Sequence, residues 1–153
     1  MKAVIQRVKS ASVSIGGKKH SEIAEGCLVL LGVAGGDSED DVKRLCEKTL
    51  NLRIFSNPGG KFDFSIRDIK GELLVVSQFT LCADTRKGRR PDFTGAAKPE
   101  EAEKLYEDFV GEIKKSGLGV KTGVFGAEMA VELLNDGPVT IILDTREKQH
   151  ANQ

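Results

Sequence analysis

Histidine is scarce in this chain: His20 and His150 are the only two among 153 residues. Neither lies near another plausible ligand in sequence, so an imidazole-built metal centre is not expected, and no cofactor is implied. Cysteine is nearly as sparse. Cys27, Cys46 and Cys82 contain no C-x-x-C pair, and an odd number without a framework excludes a disulfide scaffold and fits a reducing, cytoplasmic setting. Net charge is missing too. Lys+Arg and Asp+Glu both number 23, so no global field draws the protein to nucleic acid or membrane. An anionic partner must be met by a local patch. No apolar run approaches membrane-spanning length, and Met1-Lys2-Ala3-Val4 leads into a strand pattern rather than a signal peptide. Nucleophile and dinucleotide signatures are absent as well. There is no G-x-S-x-G elbow, and Gly117-Leu118-Gly119 trails a helix pattern rather than a strand.

What is present reads as one globular domain. Charged residues make up 30% and hydrophobic residues 39%, which suits a packed core rather than disorder. The expected domain covers residues 1–146, with 147–153 as a polar tail. Alternation predicts a long first strand through Val4–Ile15, a turn at Gly16-Gly17, a short polar return over 18–23 and a central strand over 27–33. Asp37 and Ser38 offer N-caps, and Val42, Leu45, Cys46, Thr49 and Leu50 recur at helical spacing, so a helix is expected over 37–51. Strands follow over 52–56 and 61–66 around Asn57-Pro58-Gly59-Gly60. A second helix is expected over 100–116, with Gly117 ending it. Strands over 120–125, 129–135 and 139–143 complete the pattern, the last two separated by Asp136-Gly137-Pro138. Because hairpin turns outnumber helical crossovers, the expected fold class is α+β, with largely antiparallel, barrel-like sheets and two main helices.

The most informative stretch is Glu72–Arg90. Leu73-Leu74-Val75-Val76 is a buried-strand run that ends in Ser77-Gln78-Phe79-Thr80, and Arg86-Lys87-Gly88-Arg89-Arg90 follows. Strict alternation puts Ser77 and Thr80 on opposite faces, so both hydroxyls share a pocket only if the strand bends or ends there. A lone strand hydroxyl is usually ordinary, and no histidine lies near in sequence to activate either one. Lys87, Arg89 and Arg90 follow a polar strand end and suit phosphate. Phe93 is the only aromatic residue close to them, so sequence-specific base readout is not indicated.

Ser77-Gln78-Phe79-Thr80 and Asn135-Asp136-Gly137-Pro138-Val139-Thr140 resemble the two signature motifs of the D-aminoacyl-tRNA deacylases. Further marks are Ala3-Val4-Ile5-Gln6-Arg7-Val8, Asn51-Leu52-Arg53-Ile54-Phe55, Lys87-Gly88-Arg89-Arg90-Pro91 and Thr122-Gly123-Val124-Phe125-Gly126-Ala127. Together they cover nearly the whole chain in the family's order. The resemblance implies that family's fold and a homodimer with active sites at the subunit interface. It also implies hydrolysis of D-aminoacyl-tRNA at its aminoacylated 3′ end. Gly137 and Pro138, joined by a cis peptide, are then presented by one subunit to the other, where their carbonyls accept from the substrate α-amino group and exclude an L side chain. Glycyl-tRNA is expected to escape this filter in part. The N–H groups of Phe79 and Thr80 become the oxyanion donors, with Ser77 and Gln78 shaping the adenosine site. Phe125 and Met129 become pocket residues, and Arg7 a brace for the Gly-Pro loop. Two mechanisms stay open: attack assisted by the substrate's 2′-hydroxyl, or Thr80 as nucleophile. Two other functions do as well: a non-catalytic binder of the tRNA 3′ end, and a purely structural homodimer.

Overall fold

A computed structural model describes residues 1–147; all of the expected tail except Glu147 lies outside them. The framework is β1 (Lys2–Ile15), a 14-residue strand that pairs on both edges. One edge pairs antiparallel first with β3 (Gly26–Gly32) and then with β2 (Lys18–Ile23), and the other edge pairs with β8 (Ala130–Asp144). Between them lie α1 (Glu39–Asn51), the hairpin β4 (Phe55–Ser56) and β5 (Phe62–Phe64), β6 (Glu72–Ser77), a 3₁₀ turn (Phe79–Cys82), α2 (Pro99–Lys114) and β7 (Val120–Thr122).

The main sheet runs β2-β1-β3-β6-β7, with β8 on the far side of β1. It is largely antiparallel, as the turn pattern predicts, but β3–β6 and β6–β7 are parallel. Each parallel pair is joined through a helix-bearing crossover, α1 for the first and α2 for the second, which is the connection parallel neighbours require. Both helices therefore pack on one face. Ala3, Ile5, Val29, Leu31, Leu73 and Val75 meet Leu45, Leu50, Phe109 and Ile113 there. The opposite face closes on itself: Val8, Val13, Ile23, Leu28, Leu74 and Val76 form a second core. The Ser21 hydroxyl donates to the Thr122 carbonyl at 2.8 Å, tying β2 to β7 across the curl.

Helix α1 starts where its caps predict. The Ser38 N–H and hydroxyl both donate to Asp41 Oδ2, at 2.9 and 3.0 Å. Asp37 turns inward instead, accepting the Ala34 N–H at 2.7 Å and pairing with the Met1 ammonium at 2.9 Å.

Several expected boundaries contract. The strands over 52–56 and 61–66 shrink to Phe55–Ser56 and Phe62–Phe64, because this hairpin stands apart from the main sheet and, among the described residues, pairs only with itself. Strand β7 stops at Thr122 rather than residue 125, leaving Phe125 on a loop. The two strands expected over 129–135 and 139–143 are one strand. Asn135 stays opposite Val8 and Thr140 opposite Gln6, so Asp136–Val139 bulge out facing Arg7 alone. Proline needs no ladder N–H at a bulge, which is why Pro138 interrupts the pattern without ending the strand.

Candidate active site

Strand β6 ends at Ser77, and the chain tightens at once into the 3₁₀ turn. The Leu81 N–H donates to the Gln78 carbonyl at 3.2 Å, and the Ala83 N–H to the Thr80 carbonyl at 3.1 Å. The Gln78 N–H still donates to the Leu31 carbonyl at 2.8 Å, holding the start of the turn against β3. Gly32 makes that approach possible: a Cβ there would lie 3.0 Å from both the Gln78 carbonyl oxygen and Leu81 Cβ. Among the described residues no backbone carbonyl accepts from the N–H of Phe79 or Thr80. These are the first two N–H groups of a helical turn, which the turn itself cannot satisfy. The turn also breaks the period of two, so the opposite-face rule for Ser77 and Thr80 no longer applies.

Ser77 and Phe79 border a cleft of about 400 Å³, together with Val33, Ala96, Ala97, Ala102, Phe125 and Met129. Its lining is mainly apolar, as ligand sites usually are. The Phe125 ring lies 5.9 Å from that of Tyr106. Tyr106 is fixed in turn by donating its hydroxyl to the Val75 carbonyl at 2.9 Å. Burial pushes the Tyr106 phenol up to about 12, so it stays protonated as a donor. Met129 lies against Gly123, where a Cβ would come within 2.4 Å of its sulfur. The Thr80 hydroxyl accepts a hydrogen bond from Gln78 Nε2. No histidine is hydrogen-bonded to it among the described residues.

Gly137 and Pro138 are joined by a cis peptide. Both are exposed, and neither borders the cleft of their own chain. Arg7 holds their bulge: Nε donates to the Asp136 carbonyl at 2.9 Å and NH1 to the Ile54 carbonyl at 2.7 Å. The Phe62 ring covers the guanidinium, 5.3 Å from its carbon. On the other side Asn135 accepts the Val139 N–H at 2.8 Å and donates to the Thr140 hydroxyl at 3.0 Å. The structure thus separates the two motifs into a cleft and an outward-facing loop.

Lys87, Arg89 and Arg90 are exposed on a loop closed at its base, where Asp84 and Asp92 exchange N–H···O bonds of 2.7 and 2.9 Å. Arg86 is engaged by Asp84, whose carboxylate its hydrogen bonds hold at about 2. None of the other three cations sits in an ion pair among the described residues.

Sequence reasoning missed Val33, Pro99 and the small residues Ala96, Ala97 and Ala102 in the cleft wall. Only the run Gly95-Ala96-Ala97 just before the helix hints at a close approach, and it has no chemistry to draw attention.

A family model described as D-Tyr-tRNA(Tyr) deacylase matches residues 4–144. The chain belongs to that family. A D-aminoacyl-tRNA deacylase of Aquifex aeolicus is 58% identical over 147 residues, 96% of this chain and 99% of the relative. One from Dehalococcoides mccartyi (strain 195) is 56% identical over all 153 residues. Among solved structures, the c-Myc DNA Unwinding Element Binding Protein is 44% identical, with a TM-score of 0.90 over 95% of this chain and 99% of its own. A probable eukaryotic D-amino acid tRNA deacylase has a TM-score of 0.81 over 93% of this chain and 97% of its own, at 16% identity, and attests the fold alone. The α+β, barrel-like architecture with two helices is that family's fold.

Proposed function

We propose that this protein hydrolyses the ester joining a D-amino acid to the 3′ end of tRNA, and so removes wrongly charged D-residues before translation uses them. The observation that carries the reading is the end of β6: an apolar cleft, a tight turn at its rim, and two successive N–H groups with no backbone acceptor. Those of Phe79 and Thr80 are the natural holders of an oxyanion, and one such donor contributes on the order of 10²–10³ in rate. The substrate is already an activated ester, so positioning and charge stabilisation suffice without a triad. Water adds to the ester carbon, the acyl C–O bond breaks, and the water proton passes to the departing ribose oxygen. The adjacent 2′-hydroxyl orients that water. Thr80 as nucleophile is the lesser reading, since no base accompanies its hydroxyl. Ser77 and Gln78 shape the adenosine site, Phe125 and Met129 wall it, and Lys87, Arg89 and Arg90 meet phosphates.

Chiral selection falls to Gly137 and Pro138. Their carbonyls accept from the α-amino group of a D-substrate and leave no room for an L side chain, whereas glycine is partly admitted. Because these residues lie off the cleft of their own chain, the working enzyme is a homodimer in which each copy completes the other's site. The outer edge of β8 supports this. Among the described residues β8 pairs only with β1, and Leu134 and Ile142 project from it 57% and 71% exposed; a bare edge beside exposed apolar side chains asks for a partner.

The test compares release of D-tyrosine and L-tyrosine from charged tRNA. D-selective release is expected. Equal rates refute the role given to Gly137-Pro138, and a protein that binds and protects the D-ester is a binder rather than an enzyme.

A further inference from the structure

Two aromatic rings stand in the open between the cleft and the basic loop. Phe79 is 55% and Phe93 37% exposed, and they meet edge-to-face with centroids 5.1 Å apart and planes at 64°. Phe79 belongs to the cleft wall, whereas Phe93 does not border the cleft and directly follows Asp92 at the base of the basic loop. The backbone around Phe93 is fixed: the Thr94 N–H donates to Asp92 Oδ1 at 2.7 Å, and the Ala96 N–H to the Phe93 carbonyl at 3.0 Å. The ring therefore sits on a rigid support. Arg89 lies three residues before Asp92, within about 10 Å of the loop's base, and Gly88 turns the tip with φ of +70°.

We propose that Phe93, braced by Phe79, stacks the base that precedes the terminal adenosine of the substrate, while Lys87, Arg89 and Arg90 hold the phosphates of the same strand. The inference rests on the aminoacyl-tRNA reading and extends it to a second nucleotide subsite. A positive groove beside exposed rings is the general design for single-stranded nucleic acid, and stacking there is tolerant of sequence because every base has a π-face. The other occupant for exposed rings is a second copy of this chain. Three cations of one sign beside the rings, none in an ion pair among the described residues, argue against it, because like charges would be brought together across a symmetric contact. A phosphate strand is their complement.

Two measurements separate this subsite from the deacylase reading. In the first, a short uncharged RNA ending in C-C-A is titrated against the native protein and Phe93→Ala. The substitution is expected to weaken binding about tenfold to hundredfold, and Phe93→Trp to restore it. Equal binding by wild type and Phe93→Ala overturns the subsite even if deacylation persists. Binding that depends on Phe93, with no release of amino acid from any charged tRNA, supports the subsite and overturns the deacylase reading instead. In the second, Phe93→Ala is expected to raise KM for D-aminoacyl-tRNA by the same factor, with kcat little changed, and to leave KM for 3′-O-aminoacyl adenosine untouched. A matching rise on both substrates makes Phe93 only a wall of the cleft and overturns the proposal, as does a changed oligomeric state. Removing the charges of Lys87, Arg89 and Arg90 together is expected to reduce the salt slope of RNA binding by about 2; an unchanged slope removes them from the subsite.

Discussion

Arg7 faces the Asp136 carbonyl across the sheet, donating to it from Nε at 2.9 Å. It is the single residue of β1 opposite the four-residue bulge Asp136–Val139. Its guanidinium therefore takes over the hydrogen bonding that a regular ladder would supply. A Cβ on Gly137 would lie 2.9 Å from the Arg7 NH2 nitrogen and 2.8 Å from Val139 Cγ2, so loop and brace fit without slack.

Replacing Arg7 with Lys keeps the charge but loses the fork that reaches the Asp136 and Ile54 carbonyls together. Chiral selection is expected to suffer more than stability. The ratio of D- to L-tyrosyl-tRNA hydrolysis should fall about tenfold, equivalent to about 1.4 kcal/mol, while the melting temperature drops only a few degrees. An unchanged ratio would release the loop from Arg7.

Thr80→Ala leaves both backbone donors in place and removes only a hydroxyl held by Gln78. Turnover of D-aminoacyl-tRNA is expected to stay within about threefold of wild type, since the proposed oxyanion stabilisation does not need the side chain. A loss of a thousandfold or more in single-turnover rate would make Thr80 the nucleophile.

Gly32→Ala probes the turn from behind. Its Cβ would press on the Gln78 carbonyl and on Leu81 at 3.0 Å, so the turn must shift by a few tenths of an ångström. Because oxyanion donors act over short distances, kcat is expected to fall about tenfold, more than a modest loss of melting temperature would suggest. Full activity would show that the turn tolerates displacement.

Acid should find a weak point at the start of α1. Burial works against charge on Asp41, but hydrogen bonds from Thr145 and Ser38 and the nearby N-terminal ammonium outweigh it and hold the carboxyl at about 2, against an ordinary 3.8. A depressed folded value means the stabilisation is complete above about pH 4 and is lost as pH falls through about 2. Asp41→Asn should flatten the fall in stability between these values and cost about 1 kcal/mol at pH 7, read by denaturant melts. A fall as steep as wild type's would assign the acid sensitivity to other groups.

Thiol reagents should be nearly harmless to the native enzyme at pH 8. Burial pushes Cys27 and Cys46 up to about 12, and burial raises Cys82 as well, so the reactive thiolate is scarce at all three. Full labelling is expected only in denaturant. Rapid loss of deacylation on alkylation of the folded protein would bring a cysteine into the site.

Much of this protein is legible in its residues. Alternation along Val4–Ile15, the turn at Gly16-Gly17 and the helical spacing of Val42–Leu50 are local signals, and their elements form close to where those signals place them. The parallel pairs β3–β6 and β6–β7 were not legible, because strand order depends on which face the crossover helices cover, and that is settled by packing both on one core. The same limit hid the continuity of β8. Asp136-Gly137-Pro138 reads locally as a break, yet the flanks stay paired with β1 because Arg7 and Asn135 satisfy the bulge.

Sequence alone determined the family and the two motifs, since order and spacing along the chain carry that information directly. Only the tertiary structure decided that these motifs lie apart in one chain. Ser77–Thr80 sit at the rim of an apolar cleft, and Gly137-Pro138 face outward on a braced bulge. The reason is physical. Here the strand ends in a tight turn because Gly32 is small enough to let it pack, and the bulge keeps its shape because the long side chain of Arg7 reaches its Asp136 carbonyl from the neighbouring strand.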